Sequence, residues 1–308
     1  MTAIIIFGII IVLFAVSYIC YRKTFYTGKK LNRNPYIMLS GAQYAEQKDT
    51  ITKMIDSVID LPYEDCYTVS KDGYKLHAAY YETDKNAPLE IMFHGYKSIA
   101  LRDYCGAMKE TLDAGRNVLL VDQRAHGKSE GKCLTFGIKE RFDCLSWVDF
   151  ACRKFGKDKK ILLVGVSMGA ATVLMAGGLK LPSNVVGIIA DSGYSSPKAI
   201  IKKVIGDMKL PVPLCYPFVY LGAAIFGGFN LHETDCPKSL KNCKVPVLIY
   251  HGEQDYFVPC EMSGEIFSCV KSKKFILTVP GAGHGLSFLI DRGSYNKKLD
   301  EFLKETLT

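Results

Sequence analysis

The hydrophobic pattern along the chain changes repeatedly between the period of a strand and that of a helix. Six short apolar runs predict buried parallel strands, near residues 89, 117, 160, 185, 245 and 274. Helical patterns separate or follow them, notably at 103–114, 139–155, 168–179 and 296–307. Strands that alternate with helices predict an α/β fold with a mostly parallel, doubly wound sheet. Ligands of such sheets bind at the carboxyl ends of the strands.

Two stretches depart from this alternation. Residues 65–82 predict an antiparallel hairpin, because Asp72-Gly73 suits the positive φ of a tight turn. Residues 195–243 are too long for a simple connection and predict a short helical cap inserted before the last two strands. Within it, residues 210–229 carry no charge, and three prolines and three glycines argue against a second transmembrane helix. This stretch is expected to line an acyl-chain or aromatic pocket, with membrane contact and ordinary packing on the core as alternatives.

The first residues have a different character. Residues 3–20 form an uncharged 18-residue run rich in Ile, Val, Leu and Phe, long enough to cross a bilayer. Only the amino terminus precedes this run, whereas five basic residues and no acid follow it before residue 45: Arg22, Lys23, Lys29, Lys30 and Arg33. By the positive-inside rule, this asymmetry predicts a single-pass anchor with the catalytic domain in the cytoplasm. A cleaved signal peptide and a buried soluble helix are the alternatives.

The chain is therefore divided into a transmembrane anchor at 1–23, a juxtamembrane linker with one amphipathic helix (44–59) at 24–60, and a catalytic domain at 61–308. Because no catalytic candidate lies in the anchor, its removal is expected to release an active, soluble domain. With 308 residues and 48% hydrophobic side chains, the chain can bury one large core.

Charge and cysteine content narrow the setting. The net charge is +8, and five of these charges follow the predicted anchor, so no nucleic-acid signature remains. The 11 cysteines follow no disulfide or metal-ligand spacing, which favours reduced thiols in a reducing compartment. In an oxidising compartment, Cys260 and Cys269 are a conceivable pair.

The candidate chemistry centres on the pentapeptide Gly165-Val166-Ser167-Met168-Gly169. It directly follows an apolar strand and precedes a helical stretch, which is the strand–turn–helix context of a nucleophile elbow. The serine takes a strained conformation at the tip of such a turn, and the flanking glycines avoid clashes between strand and helix. The helix behind it directs free N–H groups toward an oxyanion. We therefore predict that Ser167 is a nucleophile and not an idle residue in a Gly-rich turn.

A nucleophilic serine needs a histidine base and a carboxylate that orients it, and in this fold the acid and then the histidine follow the serine. His284 is the predicted base, because it lies in a Gly-rich loop after an apolar strand. Asp255 is the predicted acid, because it lies in the loop after the preceding strand. Glu253 is the alternative acid. His251, at a strand end, and His232, in the cap, are expected to be structural.

Two backbone N–H groups are expected to stabilise the oxyanion. Met168, directly after the nucleophile, supplies one, and Tyr96, in the loop after the strand near residue 89, supplies the other. Gly95 lets the backbone of that loop turn inward. His94 is interpreted as a hydrogen-bonding brace. None of these roles requires a metal ion or another cofactor.

Taken in order, these segments resemble the α/β-hydrolase superfamily over roughly residues 60–305. The chain is most similar in style to serine-aminopeptidase-like, monoacylglycerol-lipase-like and cinnamoyl-esterase-like members. Residues 122–129 resemble the family's D-x-R-G-H-G-x-S turn, with Ala125 where glycine is usual. In the family this turn is architectural, which implies such a role for Asp122, Arg124 and His126.

The resemblance implies a serine hydrolase that cleaves small-molecule carboxylic esters of lipid or aromatic acids through an acyl-enzyme. A serine aminopeptidase is the alternative enzyme. A non-catalytic ligand-binding protein on a hydrolase scaffold is the alternative of another class. No pattern in the sequence indicates an oligomeric state.

Overall fold

The computed structural model of the protein describes residues 1–28, 34–38 and 41–307. Within them, eight strands form one sheet: β1 (Glu64–Val69), β2 (Lys75–Tyr81), β3 (Leu89–Phe93), β4 (Asn117–Asp122), β5 (Ile161–Val166), β6 (Val185–Asp191), β7 (Val247–Gly252) and β8 (Lys274–Val279). Their order across the sheet is β1-β2-β4-β3-β5-β6-β7-β8. β2 pairs antiparallel with β1 and with β4, and all other neighbours pair parallel. The predicted fold class is therefore confirmed, with the hairpin at one edge.

Helices pack on both faces of this sheet, and the helix at the N-terminal end of the chain extends away from it. Three precede the first strand: α1 (Thr2–Thr24), α2 (Ala42–Glu46) and α3 (Lys48–Asp56). Six others connect strands or end the chain: α4 (Ala100–Asp113), α5 (Glu140–Phe155), α6 (Met168–Ala176), α10 (Glu261–Cys269), α11 (Ser287–Ile290) and α12 (Arg292–Leu307). The cap between β6 and β7 contains α7 (Pro197–Asp207), α8 (Val212–Gly222), a π-helical turn (Ala223–Gly227) and α9 (Cys236–Leu240).

Two hydrophobic cores fill the faces of the sheet. Successive side chains of β3 alternate between them: Ile91 packs with Trp147 of α5 on one face, whereas Met92 packs with Tyr104 of α4 on the other. This alternation is the period of two that a strand imposes. Because strands such as β5 are buried on both faces, their sequences are continuous apolar runs.

The segment predicted as a linker differs from the expectation. The chain after α1 is attached to the core, since Thr27 N–H donates to the Lys132 carbonyl (2.9 Å) and Leu134 N–H donates to the Phe25 carbonyl (2.9 Å). The predicted helix at 44–59 is two shorter helices, α2 and α3, which meet at Gln47. Lys29, Lys30 and Arg33, three of the predicted juxtamembrane charges, lie outside the described residues.

α1 is, among the described residues, the one helix long and apolar enough to cross a membrane by length and composition, and 6% of its most apolar window is buried. A signal sequence shares those properties. The exposed apolar side chains of α1 begin at its first turn and continue to Ile19. Only Ser17 and Tyr21 are buried within the helix.

Candidate active site

The turn between β5 and α6 has the geometry of a nucleophile elbow. Ser167 has φ 55° and ψ −115°, a strained conformation for a residue with a side chain. A β-carbon at Gly165 would lie 2.2 Å from the Gly169 carbonyl oxygen, and one at Gly169 would lie 1.7 Å from the Phe93 carbonyl oxygen. Only glycine fits either position. The local sequence therefore holds the Ser167 hydroxyl at the carboxyl end of the sheet.

Ser167, His284 and Asp255 form one chain of hydrogen bonds. The Ser167 hydroxyl donates to His284 Nε2, with Oγ and Nε2 2.9 Å apart. His284 Nδ1 donates to Asp255 Oδ2 at 2.7 Å. The loops after β5, β7 and β8 bring these residues together, although His284 is 29 positions from Asp255 and 117 positions from Ser167 along the chain. The arrangement can remove a proton from the serine hydroxyl and stabilise the resulting imidazolium.

Asp255 is buried and its carboxylate is fully occupied. Oδ1 accepts the backbone N–H groups of Phe257 (2.9 Å) and Val258 (2.7 Å). Burial opposes the charge, but hydrogen bonds from His251 and His284 outweigh burial and hold the pKa of Asp255 well below its usual range. Asp255 is therefore charged at neutral pH and fixes the proton of His284 on Nδ1.

His251 contacts the acid directly, which the sequence did not reveal. Its Nε2 donates to the Val258 carbonyl (2.8 Å) and lies 3.2 Å from Asp255 Oδ2. Its Nδ1 accepts the Ser263 hydroxyl at 2.5 Å. The His251 ring is fully buried, and its hydrogen-bond partners among the described residues do not include Ser167. This geometry agrees with a structural role for His251, as a brace of the acid loop.

The alternatives for acid and base lie elsewhere. Glu253 is exposed and accepts the Thr278 hydroxyl at 2.8 Å. His232 pairs with the Tyr216 hydroxyl inside the cap, at 2.7 Å. Neither residue has a described hydrogen bond to Ser167 or His284.

The two residues predicted as oxyanion donors, Tyr96 and Met168, directly follow Gly95 and Ser167 in the chain. Gly95 packs against the serine, since a β-carbon there would lie 3.5 Å from Ser167 Cβ. Gly95 N–H is used by Asp103 (2.9 Å), whereas the N–H groups of Tyr96 and Met168 have no acceptor among the described residues. These two N–H groups remain the candidates for stabilising an oxyanion at Ser167.

The loop that carries Tyr96 is braced from two sides. His94 Nδ1 donates to the Gly95 carbonyl (2.8 Å), and Gln123 N–H donates to His94 Nε2 (3.1 Å), which fits the interpretation of His94 as a brace. From the other side, the Tyr96 hydroxyl donates to the Thr24 carbonyl at 2.8 Å. Lys97 Nζ donates to the Lys23 carbonyl at 2.9 Å. The C-terminal end of α1 is thus joined to the candidate oxyanion loop.

A cavity of about 380 Å³ opens at Ser167. Its apolar lining comes from the juxtamembrane segment, α4 and the residues around α11: Met38, Ile51, Met54, Gly106, Leu286 and Phe288. Among the described residues that line it, none belongs to the cap at 195–243. The expectation that the uncharged cap stretch lines the acyl pocket is therefore wrong. That stretch packs against α1, where the Phe226 ring lies 4.7 Å from Phe14.

Tyr44 of α2 reaches the catalytic centre. Its hydroxyl donates to the backbone carbonyl of His284 at 2.5 Å. The neighbouring Gln43 side chain occupies the space beside Gly283, where a β-carbon would lie 1.6 Å from Oε1. The amphipathic pattern of residues 44–59 signalled a helix with a covered face, but it did not indicate that the face covers the site.

Asp191 is a second buried carboxyl group at the cavity. Its carbonyl accepts the Ser167 N–H (2.8 Å), and its Oδ1 accepts the Ser192 hydroxyl (2.9 Å). Burial raises the pKa of Asp191 above the ordinary aspartate value. Among the described residues, no three His, Cys, Asp or Glu side chains are grouped as ligands for a metal ion.

The D-x-R-A-H-G turn is held by ion pairs. Asp122 Oδ2 accepts His77 Nδ1 (2.7 Å) and the Lys128 N–H (2.8 Å). The buried Arg124 guanidinium pairs with Asp143 (2.6 Å) and Asp72 (2.9 Å). Ala125 has φ 64°, the left-handed region in which glycine is usual. These contacts support the architectural role that the resemblance implies.

The comparisons with known proteins agree with the fold. Residues 91–211 match the family model described as "alpha/beta hydrolase fold". The uncharacterised protein YqkD of Bacillus subtilis is 26% identical over 193 residues, 62% of this chain and 63% of YqkD, so the chain spans less than two thirds of that relative. The bifunctional esterase/perhydrolase DCH of Acinetobacter calcoaceticus is 24% identical over 77% of this chain and 99% of its own.

A solved structure of the Pyrococcus furiosus esterase Pf2001 superposes with a TM-score of 0.64 at 24% identity, covering 82% of this chain and 96% of that one. At this identity, the likeness concerns the fold. Together with the family model and the sheet order, it shows that the chain has the α/β-hydrolase fold.

Proposed function

We propose that the protein is a membrane-anchored serine hydrolase that cleaves carboxylic esters of lipid or aromatic acids. The observation that carries the proposal is the continuous hydrogen-bond chain from Ser167 through His284 to Asp255, at the opening of a largely apolar cavity. An enzyme of this kind belongs among the carboxylesterases and lipases.

The reaction follows from the positions of these groups. Ser167 Oγ attacks the ester carbonyl while His284 Nε2 accepts the hydroxyl proton. The N–H groups of Met168 and Tyr96 stabilise the tetrahedral oxyanion. The intermediate collapses, the alcohol leaves with the proton of His284, and the acyl group remains on Ser167. Water, deprotonated by His284, then releases the acid and restores the serine.

The cavity supports an apolar acyl group. Its volume falls in the range of small-molecule sites, about 300–1,000 Å³, and its lining includes Met54, Phe288 and Leu289. An aminopeptidase needs free carboxylates near the scissile bond to bind the substrate amine. Glu233 and Asp235 of the cap do not line the cavity. The two carboxyl groups that do line it are engaged, Asp103 with the Gly95 N–H and Asp191 with the Ser192 hydroxyl. Ester hydrolysis is therefore preferred to peptide hydrolysis as the proposed reaction.

We also propose that α1 anchors the protein with its catalytic domain in the cytoplasm. Arg22 and Lys23 lie in the last turn of α1, on the domain side, and positive residues favour the cytoplasmic side. All 11 cysteines are free thiols in the structure, as a reducing compartment would keep them. A membrane-impermeant maleimide tests the orientation. Cys269 is a suitable reporter because it is partly exposed, whereas Cys66 is buried and would stay unlabelled on either side.

The catalytic assignment is tested with a fluorophosphonate probe on the full chain in detergent. Ser167→Ala is expected to abolish labelling and to lower kcat by several orders of magnitude, because the triad acts as a unit. Asp255→Asn should lower kcat by about 10⁴-fold through the wrong imidazole tautomer. Glu253→Gln is the matched control and should leave kcat unchanged. Undiminished labelling of Ser167→Ala would refute the nucleophile.

A substrate panel separates the competing functions. p-Nitrophenyl esters of increasing acyl length, beside aminoacyl amides, should show turnover of esters with a preference for longer or aromatic acyl groups. Preferential cleavage of the amides would favour the peptidase. Binding without turnover of any ester would favour the ligand-binding scaffold.

A further inference from the structure

The cap and α1 pack along each other over a long stretch. A β-carbon at Gly222 in α8 would lie 2.5 Å from the Ser17 carbonyl oxygen, so glycine permits a close approach of the two backbones. Further along the cap, the Phe226 ring lies 5.9 Å from Tyr21, 5.0 Å from Tyr18 and 4.7 Å from Phe14. The π-helical turn therefore reaches back along α1 to its middle.

The outer side of this part of the cap is apolar and exposed. Leu214, Leu221 and Ile225 are 64%, 38% and 49% exposed, and no charged residue occurs from 210 to 229. An apolar surface of this kind marks a contact with another apolar phase. It is continuous with the exposed apolar side chains of α1, since Phe226 joins Ile10 and Phe14 in one shallow groove.

The depth of the cap relative to α1 is fixed by the contacts at the end of α1. The Tyr96 and Lys97 side chains donate to the Thr24 and Lys23 carbonyls, and Thr27 pairs with Lys132. α1 is therefore docked on the domain, and it is not a tether that swings. If α1 enters a bilayer, the cap residues that lie beside Phe14 enter at the same level.

We propose that α8 and the π-helical turn insert into the membrane beside α1, so that the protein is held by a helix and an embedded cap. This inference rests on the proposed anchor. The Phe226 ring lies against Phe14, Tyr18 and Tyr21, and Phe14 is six positions from Cys20, where the uncharged run of α1 ends. At 1.5 Å per residue, Phe226 therefore lies within about 9 Å of the end of that run. Interfacial helices bury their apolar face to a similar depth, about 5–10 Å.

Basic and aromatic residues mark the level of the headgroups. The Arg22 guanidinium lies 3.8 Å from the centre of the Tyr26 ring, and Lys202 Nζ lies 5.1 Å from the centre of the Tyr216 ring. Tyrosines and cations of this kind favour the membrane–water interface and anionic headgroups. The order along α1, from Arg22 through Tyr18 to Phe14, matches the passage from headgroups to acyl chains.

Tryptophan fluorescence tests this inference. Ile225→Trp, Phe7→Trp and Tyr67→Trp, each in the full chain, are reconstituted in phosphatidylcholine–phosphatidylglycerol vesicles with or without bromine on the acyl chains. The native Trp147 is fully buried and gives a constant background. Bromine should quench the new emission of Ile225→Trp and of Phe7→Trp, whereas Tyr67→Trp, on the edge strand β1, should keep its emission. Leu221→Trp replaces Ile225→Trp if that variant does not fold.

The outcomes separate this inference from the proposed function. Quenching of Phe7→Trp without quenching of either cap variant would refute the embedded cap and leave the anchor intact. Loss of quenching in all variants would refute both the anchor and the embedded cap. Ester hydrolysis by Ser167 is measured on the same samples and does not depend on either result.

Discussion

Two segments outside the sheet, the uncharged cap stretch at 210–229 and the juxtamembrane segment that carries α2 and α3, both depart from the roles that their sequences predict. The cap stretch was expected to form the acyl pocket, and it packs on α1 instead. The juxtamembrane segment was expected to be a linker with one amphipathic helix, and it also lines the cavity through Met38, Ile51 and Met54. An apolar stretch or an amphipathic helix therefore indicates that a surface is covered, but not which neighbour covers it.

The difference arises from what each segment meets. α3 packs against α4, whose Gly106 leaves room for the Met54 and Phe288 side chains in the cavity that opens at Ser167. α8 meets α1, because Gly222 allows the two helices to approach closely. In both cases a glycine permits the close contact: Gly106 at the contact of α3 with α4, and Gly222 at the contact of α8 with α1. The candidate site is thus completed by residues from the N-terminal segment.

Of the changes that test this comparison, removal of α1 should have the largest effect on stability and activity. Deletion of residues 1–24 removes the buried Tyr21 and the carbonyl acceptors of Tyr96 and Lys97. We expect the free energy of unfolding to fall by about 3 kcal/mol or more, as for loss of a buried aromatic side chain, and kcat to fall as well. This replaces the expectation of an active, soluble domain. Melting temperature and kcat in detergent are the measurements.

Deletion of residues 1–13 is the matched control for that experiment. It removes exposed residues and keeps Phe14, Ser17, Tyr21 and the end of α1. Its melting temperature and kcat should equal those of the full chain. If both deletions behave alike, the contacts between α1 and the domain contribute nothing to stability.

A polar side chain in the cavity should have the next largest effect. Met54→Gln places an amide in the apolar lining, where an acyl chain would desolvate it, so KM for octanoyl esters should rise about 10-fold. The KM for acetate esters should change little. Leu221→Gln in the cap is the control and should not alter the ratio. Equal changes for both ester lengths would mean that the cavity does not hold the acyl group.

The smallest effect is expected for the hydroxyl of Tyr44. Tyr44→Phe loses its hydrogen bond to the His284 carbonyl, which is worth about 1 kcal/mol, so kcat/KM should fall roughly five-fold. Tyr216→Phe loses a comparable hydroxyl contact, with His232 in the cap, and should leave kcat/KM unchanged. Steady-state kinetics on one short ester suffice. A larger effect of Tyr216→Phe would mean that the cap, and not α2, positions the site.

The sequence by itself determined the elbow, the strand order along the chain and the candidate triad. Ser167 lies in a strand, turn and helix that are contiguous, and Gly165 and Gly169 are required by contacts within that unit or with the adjacent strand end. Asp255 and His284 follow consecutive strands, and parallel strands end at the same edge of a sheet. These inferences depend on local geometry and on chain order, both of which are readable without coordinates.

Only the tertiary structure decided what surrounds these residues. Tyr44 and His284 are 240 positions apart, and the second imidazole on Asp255 depends on a bend of the acid loop. Which of the two segments, the cap stretch or the juxtamembrane helices, lines the cavity depends on how closely helices approach, as at Gly106 and Gly222. Hydrophobic burial is non-directional, so a sequence pattern identifies the buried face of a helix but not its neighbour.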